Sequence, residues 1–152
     1  MFEAIAIRLP RLLGGLCLLA GVGINFANIV GRFFFGAPIF WAEEAMIFLV
    51  LWAVFLTFIS VTASRAHLNM DLFQKLLPRR AGRALELAGL AVGVVAMGYL
   101  ALQSWSSLQK LWSFDMRSIS LQIPMVVPHA AVLVGFAGSA AAAFILIWKR
   151  RE

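Results

Sequence analysis

Few groups in this sequence could do chemistry, and the first to weigh are its two histidines, His67 and His129. Two imidazoles can hold a haem iron between them, so a bis-histidine haem is the obvious enzyme hypothesis. The ordinary readings are an interfacial cation for His67 and a hydrogen-bonded polar group for His129. The single cysteine, Cys17, lies in an uncharged run, cannot form an internal disulfide and lacks the Cys/His spacing of a structural metal site. Asn25 and Asn28 share a helix face and could coordinate a ligand, although interhelical hydrogen bonds of roughly 1 kcal/mol are the usual role of membrane amides. Charged residues gather in two places. Glu43 and Glu44 follow Trp41, with Arg32 twelve residues before Glu44, and Arg65, His67 and Asp71 fall within seven residues. Acids favour a helix N-terminus, and cations snorkel or sit at helix C-termini, so both clusters have bland explanations beside functional ones. No nucleophile has an evident base. The sequence is therefore read as non-enzymatic, with no catalytic, cofactor-binding or metal-ligating residue.

The elements that must position these groups follow from composition. Of 152 residues, 62% are apolar and 13% charged, and the mean hydropathy is +0.92, which excludes an ordinary water-soluble domain. The net charge of +6 is not gathered into a basic stretch longer than four residues, so no nucleic-acid partner is expected. Crossing a hydrocarbon core about 30 Å thick takes roughly 20 apolar residues. Four stretches qualify: 12–31, 45–63, 87–108 and 125–148, carrying among them no Asp, Glu, Lys or Arg. Arg8 and Arg11 before the first invite comparison with a signal peptide. Its apolar run is too long for that, and Leu16 before Cys17 spoils a lipoprotein cleavage site, so it is read as a retained helix.

Lys and Arg divide ten to three between the two sides of this layout. The positive-inside rule then places both termini and the Arg65 to Arg83 connection in the cytoplasm. Trp41, Trp105, Trp112 and Trp148 fall near span ends, as interfacial aromatics do, while Trp52 is mid-span. This topology sets His67 and His129 roughly a bilayer apart, too far for one haem. Residues 68–77 alternate apolar and polar faces at helical spacing and stop at Pro78, which predicts a short helix in the cytoplasmic interface. Ala131, Gly135, Ser139 and Ala143 form a small-residue stripe on the fourth span, and Gly89 and Gly93 begin one on the third. Such stripes pack helices closely, within the chain or against another subunit. The fold expected is an all-α integral membrane protein, one membrane domain over 1–152, of four transmembrane helices with a short cytoplasmic interfacial helix between the second and third. A carrier usually keeps an ionisable residue at mid-membrane, so this chain is expected not to couple transport alone.

The run Arg32-Phe33-Phe34-Phe35-Gly36-Ala37-Pro38, then Trp41, Glu43, Glu44 and Trp52, then Arg65, His67 and Asp71, resembles the small membrane subunit (DctQ-type) of tripartite ATP-independent periplasmic (TRAP) transporters. Leu121-Gln122-Ile123-Pro124 before the fourth span is similar to that family too. Thr57, Ile47 and Pro128 depart from its pattern. The resemblance implies a non-catalytic subunit of the bacterial inner membrane. It would pack beside a large elevator-type subunit that imports organic acids with sodium, and help dock a periplasmic solute-binding protein. Membrane lipids would surround it, and sodium would bind the large subunit, leaving no cofactor in this chain. Arg32, Trp41, Glu43 and Glu44 would form an outer-face cluster, and Arg65, His67 and Asp71 its inner counterpart. Adjacent helical residues point about 100° apart. One glutamate is thus expected to pair with Arg32 and the other, Glu44, to face a partner. Two other readings are a small four-helix exporter acting as a homodimer, which would want a membrane-embedded acid, and an anchor subunit of a membrane oxidoreductase.

Overall fold

The computed structural model describes residues 2–64 and 79–148, with side chains described over 7–64 and 88–146. Four helices make up this part: α1 (Phe2–Phe34), α2 (Ala42–Ala63), α3 (Arg79–Ser113) and α4 (Val126–Trp148). Each contains a stretch long and apolar enough to cross a membrane. The chain is thus all-α, with four candidate spans. The expected interfacial helix at 68–77 lies outside the described residues. So do Arg65, His67 and Asp71.

The helices outrun the apolar stretches. α1 has 33 residues and α3 has 35, each about 50 Å long at 1.5 Å per residue. Hydropathy stops counting at a charge, whereas helix propagation does not: Arg and Lys are good helix formers, and α3 continues through Arg79, Arg80, Arg83 and Lys110. α2 and α4, with 22 and 23 residues, are near the length of one bilayer crossing.

The helices pack as an open row in the order α1, α2, α4, α3; among the described residues α1 touches only α2, and α3 touches only α4. The packing surfaces are made of small residues. Ala42, Ala53, Ser60, Thr62, Ala131, Ser139 and Ala143 are buried, while Leu12, Leu19, Phe26, Val95 and Leu102 are exposed. That inversion suits a lipid surround, where close backbone approach rather than water exclusion draws helices together. Gly14 of α1 lies so close to α2 that an added Cβ would stand 2.6 Å from Thr57 Oγ1 and 2.9 Å from the Ala53 carbonyl oxygen. The Ser60 hydroxyl donates to the Ile7 carbonyl across the same contact at 2.8 Å. On α4 the stripe predicted from sequence packs within the chain: Ala131, Ser139 and Ala143 are buried and Gly135 seats the Phe55 side chain, while Gly138, outside the stripe, seats Ile59. Phe136 meets Phe55 and Phe58 edge to face, at 5.4 and 6.0 Å. The stripe on α3 does not behave so. Gly89 is exposed and nothing lies within 4 Å of a Cβ at Gly93, whereas Leu90 is the buried residue of that turn.

Candidate functional site at the loop end of the helices

Two short connections, 35–41 and 114–125, share one end of the row, and Arg32, Trp41, Glu43 and Glu44 are there. In the first, Gly36 takes a left-handed conformation (φ +61°) that a Cβ would disfavour. The Ala37 N–H then folds back onto the Gly31 carbonyl at 3.1 Å. Asn28, buried in α1, accepts the Ile39 N–H on Oδ1 at 2.8 Å, which fixes the approach to α2. Trp41 is the N-cap of α2 without a side-chain cap bond, and Glu43 and Glu44 follow in the first turn, where the positive end of the helix dipole favours acids.

The second connection is a small hairpin. Arg117 and Pro124 form an antiparallel bridge. The Ser118 N–H donates to the Ile123 carbonyl at 2.9 Å, and the Ile123 N–H to Ser118 Oγ at 3.2 Å. Gln122 turns the tip with φ +55°, and its Nε2 donates to the Ile119 carbonyl. The tip closes around Glu44. Three successive backbone amides, of Ile119, Ser120 and Leu121, donate to its carboxylate at 3.1, 2.9 and 2.8 Å. Consecutive amides turned inward make an anion-binding concavity, and here the anion is the chain's own glutamate.

This arrangement changes the expected assignment of the outer cluster. Glu44 does not pair with Arg32; its carboxylate fastens the 114–125 hairpin to the start of α2. The expected Arg32 pair with one glutamate is not formed: among the described residues the ion pair is Arg117 to Asp115 at 3.3 Å. Arg32 and Glu43 are both exposed, and Trp41 is 45% exposed. Exposed groups gain little from pairing, which removes the reason to hold the two together. Trp52 is half-buried within α2, away from this end. His129, in the first turns of α4, is hydrogen-bonded through Nδ1 to the Met125 carbonyl at 2.8 Å. Asn28 serves the loop rather than another helix, and the hairpin amides carried no sequence signal as ligands for Glu44.

The loop end therefore presents Arg32, Trp41, Glu43 and a ring of exposed aromatics, with Phe40 83% and Trp112 76% accessible, on connections locked by Asn28 and Glu44. Residues 21–152 match the family model of the tripartite ATP-independent periplasmic transporters, DctQ component. The chain belongs to the DctQ family. It is the small membrane component of a TRAP transporter. No curated protein matches the chain. Membership covers α2, α3, α4 and the later part of α1, so the Glu44 hairpin clasp lies wholly inside the DctQ region.

Proposed function

We propose that this DctQ subunit is a non-catalytic support for a sodium-coupled TRAP importer of organic acids. The observation that carries the reading is the family match over residues 21–152. The open helix row supports it: among the described residues the large apolar side chains turn outward and α1 and α3 each touch one neighbour, which suits the chain to lying against another membrane protein. In this reading the large membrane subunit binds sodium and carries the solute by an elevator movement, and a periplasmic binding protein delivers it. Both termini and the 65–78 connection are cytoplasmic, following the ten-to-three division of Lys and Arg. The loop end is then periplasmic, where Arg32, Trp41 and Glu43 can meet the large subunit or the arriving binding protein. Arg65, His67 and Asp71 form the inner contact.

The test is co-purification from membranes with an affinity tag on this chain. A very hydrophobic protein of many spans should come with it in fixed stoichiometry, and vesicles holding both should import an organic acid only with sodium and a soluble binding protein. Recovery of this chain solely as its own homodimer would refute the reading and favour a small exporter.

A further inference from the structure

Two grooves meet on the loop end of α3. One, of about 460 Å³, runs along the helix between Trp105, Leu108, Trp112 and Val126. The other, of about 380 Å³, shares Trp112 and Val126 and adds Asp115, Arg117 and Pro124 from the hairpin. The shared residues make them one trough, apolar along the helix and charged at its head. Trp105 and Trp112 are seven residues apart, about 10 Å along the axis. Tryptophans concentrate where hydrocarbon gives way to headgroups, so the trough crosses that boundary. Its head is pre-arranged. Asp115 is held in a left-handed turn (φ +45°) with its N–H on the Trp112 carbonyl, and Arg117 is held by the bridge to Pro124. The guanidinium reaches both carboxylate oxygens, Nε to Oδ2 at 3.4 Å and Nη2 to Oδ1 at 3.3 Å, yet both side chains keep half or more of their surface open.

We propose that this trough is a binding site for a zwitterionic phospholipid with a primary ammonium headgroup, of the phosphatidylethanolamine type. Its phosphate meets Arg117, its ammonium meets Asp115, and one acyl chain lies on Trp105, Leu108 and Trp112. The apolar wall cannot choose among lipids, because all tails are alike to it. The charged head can. A glycerol headgroup sets the same phosphate on Arg117 but offers Asp115 no cation, whereas the ammonium of the zwitterion completes an alternating set of four charges. A guanidinium already oriented by Asp115 and a fixed backbone lower the ordering cost of the complex. The site needs only a bilayer-spanning chain and is independent of the solute carried.

The experiment is native mass spectrometry of the full-length chain, in detergent with equimolar phosphatidylethanolamine and phosphatidylglycerol of identical acyl chains. The ethanolamine lipid should be retained roughly fivefold over the glycerol lipid, the preference that one partly exposed ion pair supports. Asp115→Asn should abolish the preference while keeping lipid bound, and Arg117→Gln should reduce retention of both. Should a variant fold poorly, a protein carrying Trp41→Phe, Trp52→Phe and Trp148→Phe leaves Trp105 and Trp112 as reporters. Their fluorescence should be quenched more by bromine-labelled ethanolamine lipid than by the glycerol analogue. Equal retention of the two lipids by the wild type, or an unchanged preference in Asp115→Asn, would overturn the assignment. So would loss of the lipid when the large subunit assembles, which would make that subunit the occupant of the trough.

Discussion

A carboxylate that accepts three consecutive amide protons is held by charge as well as by position, and this sets what each substitution at Glu44 should do. Alanine leaves the amides of Ile119, Ser120 and Leu121 without their acceptor. Glutamine keeps one neutral oxygen, a weaker acceptor than the charged group. Amide exchange and proteolytic cutting at 119–122 should therefore rise in the order wild type, Glu44→Gln, Glu44→Ala, with Glu43→Ala close to wild type because Glu43 is exposed. Mass-spectrometric hydrogen exchange on the purified chain reads this directly, and equal protection at the hairpin in all four proteins would show that the clasp does not order it. The same residue shows where a single sequence stops. Two acids at the start of a span were legible as a helix start near the membrane surface, because types and spacing carry that. Their division of labour was not, since the donors that claim Glu44 are backbone amides 75 to 77 residues later, and amides have no residue-type signature.

At the scale of the helices, the α2 to α4 contact rests on two glycines that seat α2 side chains. Gly135→Leu would drive a branched side chain into Phe55, whereas Ala137 is exposed and Ala137→Leu adds only outward surface. Overpacking a close contact costs about 1–3 kcal/mol. Gly135→Leu should lower the thermal midpoint in detergent accordingly, and Ala137→Leu should leave it nearly unchanged. A fluorescence or light-scattering melt distinguishes them, and equal midpoints for both variants would remove α2 to α4 packing as a determinant of stability. The four spans were legible because uncharged runs of roughly 20 residues have few other fates, and the α4 stripe because its period is helical. Helix order was not legible. Nothing in Ala131, Gly135, Ser139 and Ala143 says that Gly135 meets Phe55 of α2, since small residues accept any close neighbour. Pro128 shows the converse: out of place in the family pattern, it sits in the first turn of α4, where its missing N–H is not needed.

Across the whole molecule, topology and activity both follow from where the charges stand. The division of Lys and Arg predicts that reporters active only outside the cytoplasm will work when fused after Gly36 or Asp115 and fail after Arg80 or at Glu152. Extracytoplasmic activity at Arg80 would invert the layout. Activity follows from what lies between those ends. An ion-coupled carrier has to bind its ion or proton part-way across the bilayer, and ionisable groups there are costly enough to be kept only for such work. Here the charged residues on described side chains of the candidate spans stand near the ends of those spans: Arg8 and Arg11, Arg32, Glu43 and Glu44, and Lys110. Glu44 is already committed to the hairpin. Among the described residues α1 and α3 each touch a single neighbour, and such a row encloses no pathway between four helices. The chain purified and reconstituted alone should therefore show no sodium-driven uptake of an organic acid above protein-free vesicles. Uptake should appear when the large subunit and binding protein are added, and Arg32→Glu or Glu43→Lys should lower it severalfold if the exposed charges of the loop end take part in docking. Robust uptake by the isolated chain would mean that several copies close the open row into a pathway of their own.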